Sequence, residues 1–144
     1  GGVSEKYLEE KLRELYPESQ QDVLTKVSLL SMGKTGKALQ LMENPEVLAD
    51  HLKIYQDVQV FLSSRSIADR FSYVEDLFEV PDRIEVFMEI LTNVIRSKML
   101  KSAEDTGGNP QEYAKILYKI SETIKFLNKN INSRLALENL MLAL

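Results

Sequence analysis

The segment from Ser31 to Leu41, SMGKTGKALQL, contains Gly33-Lys34-Thr35, the triplet that ends a phosphate-binding loop. Such a loop needs another glycine five positions before Gly33, because both glycines let backbone N–H groups surround a phosphate. Ser28 stands there instead, and the frame ending in Gly36-Lys37 has serine and alanine where glycine and a hydroxyl residue are needed. The pattern therefore predicts a turn between two helices, in which Gly33 ends the first helix and Thr35 caps the second.

The other residue types that commonly perform catalysis are scattered along the chain. His51 is the single histidine, and it lacks the glutamate three residues earlier that the Glu-x-x-His metal motif of helix bundles needs. No nucleophile motif surrounds a serine that could use His51 as a base. Three acidic pairs lie on predicted helix surfaces or near helix starts, where they favour the helix dipole: Glu75-Asp76, Asp82-Glu85 and Glu104-Asp105. We therefore expect no catalytic residue, no cofactor, no metal site and no enzyme activity in this chain.

Composition restricts the class of protein further. The 144 residues suffice for one domain or for a small piece of a larger protein, and the net charge of −4 argues against bulk affinity for nucleic acid. The absence of cysteine excludes disulfides and thiolate zinc sites. No apolar run has the length of a membrane span and no signal peptide is visible, so we predict a cytoplasmic protein. Gly1-Gly2 is interpreted as a cloning remnant, and we expect the chain to be a fragment of something longer.

The spacing of apolar residues predicts helices along the whole chain, three short ones followed by five mostly longer ones. Good capping residues mark several starts, among them Ser4, Ser66 and the cap-proline pairs Asn44-Pro45 and Asn109-Pro110. The predicted fold class is all-α, with no strand. We place the domain boundary where short helices give way to long ones, so that residues 1–43 form one segment and residues 44–144 another.

The last predicted helix, SRLALENLMLAL, has only Glu138 and Asn139 as polar residues after Arg134. A helix that is apolar on nearly every side needs cover on nearly every side. One interpretation is a central helix enclosed by the other helices of its own bundle. The interpretation we favour is a helix that packs on its own bundle with one flank and on a neighbouring subunit with another. The interface candidates are Arg134, Leu135, Leu137, Glu138, Leu140, Met141 and Leu144.

The preceding helix has a second surface of interest, which we call the lysine face. At about 100° per residue, its lysines fall opposite the apolar residues Ile120 and Ile124, and two aromatic residues lie among them. The six residues are Lys115, Tyr118, Lys119, Lys125, Phe126 and Lys129. Such a face is commonly just solvated, but the interleaved aromatic rings also suit contact with a partner or with phosphates. Arg96, Lys98 and Lys101 form a weaker basic group.

Two segments carry a resemblance to a known family. SMGKTGKALQLMEN resembles the end of the lid in clamp-loader AAA+ subunits, where a glycine-containing turn leads into a short Ala-Leu helix. NKNINSRLALENLMLAL resembles the C-terminal signature of bacterial DNA polymerase III delta prime subunits, roughly Asn-x-Asn-Pro-x-Leu-Ala-Leu-Glu followed by leucines. The helices between them are similar to the collar domain of that family. Position 133 departs from the signature, because it is serine where the family often has proline.

The resemblance implies an architecture and a role. Residues 1–43 would form a small three-helix AAA+ lid, and residues 44–144 a five-helix collar bundle that oligomerises with other subunits. The implied partners are clamp-loader subunits of the gamma/tau and delta types, and DNA is met at most through the whole complex, which loads the sliding clamp in DNA replication. A nucleotide-binding module would precede Val3.

The resemblance also gives the Gly33–Lys37 turn a second meaning. In the ATP-hydrolysing subunits of the family, this turn carries an arginine that senses the nucleotide phosphate. The matching position here is Gly36, although an alignment shifted by one residue would place Lys37 there. A missing arginine fits the delta prime type, which does not hydrolyse ATP. Two alternatives stay open: the collar of a gamma/tau-type subunit, and a helical nucleic-acid-binding domain that uses the lysine face.

Overall fold

The computed structural model describes residues 4–64, 66–129 and 132–144, and within these ranges it contains eight helices and no strand. The predicted all-α fold class is therefore confirmed. In chain order the helices are α1 (Glu5–Leu15), α2 (Gln21–Ser31), α3 (Thr35–Glu43), α4 (Pro45–Ser63), α5 (Ile67–Glu79), α6 (Asp82–Glu104), α7 (Pro110–Asn128) and α8 (Ser133–Ala143). None of these helices is long and apolar enough to cross a membrane.

The chain divides into two compact units, Gly1–Lys53 and Ile54–Leu144. The division falls inside α4, ten residues after the boundary that the change in helix length suggested at residue 43. Residues 44–53 thus belong to the first unit, and only the second half of α4 belongs to the second.

Side-chain capping explains where several helices begin. The Ser4 hydroxyl accepts a hydrogen bond from the Tyr7 amide at 3.2 Å, and the Ser66 hydroxyl accepts one from the Asp69 amide at 3.3 Å. Both predicted caps are confirmed, and each satisfies an amide that has no partner inside the first helical turn. Asn44 behaves differently, because its side-chain amide donates to the Gln40 carbonyl at 2.9 Å. Its side chain therefore closes α3, while its backbone marks the start of α4.

In the first unit, α2 packs against both α1 and α3. The core consists of apolar side chains that recur every three or four residues on the facing sides of these helices: Leu8, Leu12, Leu24, Val27, Leu30, Ala38 and Leu41. A polar network joins the outer side of α1 to α2. Arg13 donates to the Gln21 side chain, and both Gln21 and Thr25 donate to the Glu9 carboxylate. This network fixes how α1 lies along α2.

In the second unit, α6 supplies the largest share of the core, and buried residues occupy more than half of its circumference. α7 packs on α6, and α8 packs on both α7 and α5. Tyr73 joins three helices of this unit, because its ring centroid lies 4.4 Å from that of Phe61 and 5.5 Å from that of Phe87. Its hydroxyl donates to the Asp57 carboxylate at 3.0 Å. Aromatic contacts of this kind hold the end of α4 against α5 and α6.

Candidate subunit interface

The last helix, α8, has one fully buried side. The side chains of Leu137, Leu140 and Met141 have no exposed surface, because they pack against α5 and α7. We predicted these three residues as interface candidates. They belong instead to the core of their own unit, so they are unavailable to a neighbouring subunit while the unit stays folded.

The opposite side of α8 is open and apolar. Leu135 is 50% exposed and Leu142 is 54% exposed. The two residues are seven positions apart, which places them about 20° apart around the helix and about 10 Å apart along it. We call this pair the outer leucines. Leu142 was absent from the predicted candidates, although its spacing of seven from Leu135 could have identified it. Leu144 is half-buried.

Charged residues border the outer leucines. The Arg134 guanidinium lies 3.4 Å from the Glu138 carboxylate, one turn further along α8, and 3.7 Å from the Glu75 carboxylate on α5. Because all three side chains are partly or largely exposed, these ion pairs add little to stability. Their contribution is positional, since they hold the start of α8 beside α5 and place polar groups along one side of the outer leucines. Polar groups bordering an apolar centre are typical of protein interfaces.

A buried arginine holds the other end of α8. Arg70 on α5 is 7% exposed, and its guanidinium donates to the Met141 carbonyl at 2.8 Å. It also donates to the Phe61 carbonyl at 3.0 Å and to the Ser64 carbonyl at 2.7 Å. These carbonyls lie at or near the C-terminal ends of α8 and α4, where a cation is favoured. Arg70 thus joins three helices through backbone groups, and we had not singled it out from the sequence.

The lysine face of α7 has the exposure that helical spacing predicted. All six of its residues are exposed, including Tyr118 at 70% and Phe126 at 48%, while Ile120 on the opposite side is buried. Glu122 also lies on this face, a residue that the prediction left out. Its carboxylate is 3.3 Å from the Lys125 ammonium. The face is therefore a mixed surface, with four lysines, one glutamate and two aromatic rings.

The turn from Met32 to Lys34 connects α2 and α3. Met32 and Gly33 both adopt left-handed backbone conformations, with φ of 52° and 73°. Ser28 lies inside α2, buried, and its hydroxyl donates to the Leu24 carbonyl at 2.9 Å. The residue that would have to be the first glycine of a phosphate loop is thus part of a helix. The predicted cap was displaced by one position, because Lys34 is the N-cap and Thr35 is the first residue of α3.

Lys37, near the start of α3, has a pKa below the ordinary value for lysine. Partial burial is the main cause, and the positive charge of Lys34 adds to it; both lower the pKa of Lys37. The folded state therefore binds this proton less tightly than the unfolded state does. The cost of the charged form is complete below the folded pKa, and it disappears as the pH rises from there to the ordinary lysine pKa.

Changing Lys34→Gln is expected to raise the pKa of Lys37, because it removes the neighbouring positive charge. The pKa should stay below the ordinary lysine value, since burial remains. Titration of the Lys37 side chain by NMR measures the shift. Lys34→Arg keeps the positive charge and is the matched control. An equal pKa in Lys34→Gln and Lys34→Arg would contradict the contribution of Lys34.

His51 lies on α4 and is half-buried. Its Nδ1 is 2.9 Å from the Val47 carbonyl, one turn earlier in the same helix. Across residues 4–64, 66–129 and 132–144, no three histidine, aspartate or glutamate side chains are grouped as a metal site would need. Glu75, from one of the acidic pairs, faces Arg134 at 3.7 Å.

The likeness to clamp-loader delta prime subunits rests on two segments, Ser31–Asn44 and Asn128–Leu144. The first spans the end of α2, the turn and α3, and the second spans the end of α7 and all of α8. Asn130, which opens the signature, lies outside the described residues. Compared with protein-family models, curated proteins and solved structures, the chain gives no match.

Proposed function

We propose that this chain is a non-catalytic assembly module of a DNA polymerase III clamp loader, of the delta prime type. Its first helices would be an AAA+ lid, and its later helices a collar that packs against neighbouring subunits of the gamma/tau and delta types. The two sequence motifs support this proposal, and so does an all-helical chain that divides into a smaller and a larger unit. In a cytoplasmic complex of this kind, the module would maintain the arrangement of subunits while other subunits hydrolyse ATP.

The observation that carries the proposal is the two-sided α8. One side of the helix supplies core residues to its own unit, and the other exposes Leu135 and Leu142 beside a group of ion-paired charges. Burying a leucine side chain is worth about 1.5–3 kcal/mol, so covering the two outer leucines would contribute usefully to association.

Changing both Leu135→Glu and Leu142→Glu is expected to weaken assembly with the gamma/tau-type and delta-type subunits of the same organism by at least about tenfold. Buried glutamates would lose hydration without a partner, so the variant should stay folded but fail to associate. Co-sedimentation measures assembly, and circular dichroism measures folding.

Leu100→Glu is the control for this double variant, because Leu100 on α6 is 55% exposed in the same unit and lies outside the proposed interface. Loss of helicity together with assembly would show that the outer leucines are structural. Unchanged assembly in a folded double variant would refute the interface.

The proposal also implies that the chain alone binds no ATP. Ser28 lies within α2, and Gly36 has no side chain with which to reach a phosphate. A gamma/tau-type module would instead carry an arginine near Gly36 and would favour association with itself. Titration calorimetry that shows micromolar ATP binding would remove the delta prime assignment.

A further inference from the structure

On the lysine face of α7, each of the two aromatic rings has lysines close to it in the sequence. Tyr118 lies within one helical turn of Lys115 and Lys119, and Phe126 lies within one helical turn of Lys125 and Lys129. Each exposed ring therefore has two exposed lysines close to it along the helix. The rings are eight residues apart, which corresponds to about 12 Å along the helix. The face thus carries two aromatic rings, each with two lysines within one turn, on a single helix.

Most of these side chains make no ion pair or ring contact within the described structure. Lys115, Lys119 and Lys129 form no ion pair with any described residue, and Tyr118 and Phe126 make no ring contact with one. Lys125 is the exception, because it pairs with Glu122 at 3.3 Å. An exposed tyrosine and an exposed phenylalanine are unfavourable in water, so the face is suited to a ligand that covers rings and neutralises cations together.

We propose that the lysine face binds single-stranded nucleic acid, as an activity separate from subunit assembly. Its phosphates complement the lysines, and its unpaired bases stack on the two rings. Duplex DNA fits less well, because its bases are already stacked inside the helix and present no face to Tyr118 or Phe126. An acidic protein segment would match the charges but would have no planar groups for the rings.

Glu122 sets the strength of this interaction. It is half-buried and lies midway between the two rings, four residues from each. It repels phosphates and occupies Lys125. Binding is therefore weak, and it depends strongly on salt because it releases condensed counterions. Contact with three or four phosphates gives a slope of log affinity against log salt of about −2 to −3.

The test uses the whole chain and a fluorescent oligothymidylate of about 15 nucleotides, which is within the site sizes of single-strand binders. Fluorescence anisotropy at low salt should show binding with the slope above. Tyr118→Ala and Phe126→Ala should each weaken binding by about fivefold to a hundredfold, the range for loss of one stacked base. Glu122→Gln should strengthen binding several-fold, because it removes a negative charge and releases Lys125.

A matched control exists on α1, where Lys11 lies over the ring of exposed Tyr7 at 5.5 Å. Tyr7→Ala should leave binding unchanged, since Tyr7 is not one of the rings of the lysine face and has one lysine over it. The proposal fails if the oligomer does not bind at low salt, or if Tyr7→Ala weakens binding as much as Tyr118→Ala. It also fails if polyglutamate binds as tightly as oligothymidylate and the ring variants leave both unchanged, because the ligand would then be an acidic protein segment.

Discussion

Arg70→Met is expected to lower the free energy of unfolding of the second unit by about 2–4 kcal/mol, because it leaves three backbone carbonyls without their donor. The carbonyls of Phe61, Ser64 and Met141 accept hydrogen bonds from the Arg70 guanidinium at 2.7–3.0 Å. Methionine fills much of the space of the arginine stem but donates nothing. Chemical denaturation followed by circular dichroism measures the loss.

The loss of stability should be largest in the segments whose carbonyls accept hydrogen bonds from the guanidinium. The Met141 carbonyl belongs to the last turn of α8, so this turn should exchange its amide hydrogens faster in Arg70→Met than in the unchanged protein. Arg70→Lys keeps the positive charge but replaces a planar fork of donors with one ammonium group. It should therefore recover only part of the stability.

Arg134→Met is the matched control for Arg70→Met. It removes the same side chain from the same unit, but Arg134 is half-exposed and forms only surface ion pairs. Its effect should not exceed about 1 kcal/mol. Equal effects of the two substitutions would mean that the Arg70 hydrogen bonds contribute no more than a surface charge pair. For Arg70→Met we expect a loss smaller than the summed free energy of three hydrogen bonds. The reason is that the buried Arg70 Nε has no hydrogen-bond partner in the described structure.

Local signals in the sequence explain why the helices begin where they do. Ser4 and Ser66 accept amide hydrogen bonds from the first helical turn. Pro45 and Pro110 occupy first helical positions, where the backbone N–H that proline lacks would have no partner within the helix. Each of these helix starts depends on residues within three or four positions along the chain. For this reason the all-α class and most helix starts could be predicted without any knowledge of tertiary contacts.

The buried side of a helix depends on distant residues, and there the prediction was less accurate. On α5, the apolar residue Ile67 is 53% exposed, while the charged residue Arg70 is buried. The reason is that backbone carbonyls from α4 and α8 supply acceptors for a guanidinium at that point. A signal did exist, because Arg70 stands four residues before Val74 and seven before Leu77, which are both core residues.

The interface prediction had the same limit. Counting apolar residues correctly indicated more than one apolar side on α8, but it could not separate the sides. The buried residues Leu137, Leu140 and Met141, with half-buried Leu144, follow the spacing of a helix packed on one bundle. The outer leucines follow a second line, offset from the first. Both lines are present in the sequence, and the positions of α5 and α7 decide which one is covered.

Leu137→Ala is expected to destabilise the second unit by about 2–5 kcal/mol, the range for removing a fully buried leucine. Leu135→Ala, two positions earlier on the same helix, should cost less than about 1 kcal/mol because Leu135 is half-exposed. The two variants make the same chemical change in the same helix, so helix propensity cancels between them. Denaturation curves of both variants measure the difference.

The effects of the two substitutions on assembly should have the opposite order to their effects on stability. Well below its unfolding temperature, Leu137→Ala should associate with the proposed partner subunits as the unchanged chain is proposed to do, because its folded surface is intact. Leu135→Ala should associate more weakly although it is the more stable variant, because the missing side chain belongs to the surface we propose as the interface. If instead both properties fall together in both variants, α8 has only a structural role, and its exposed leucines do not form a subunit interface.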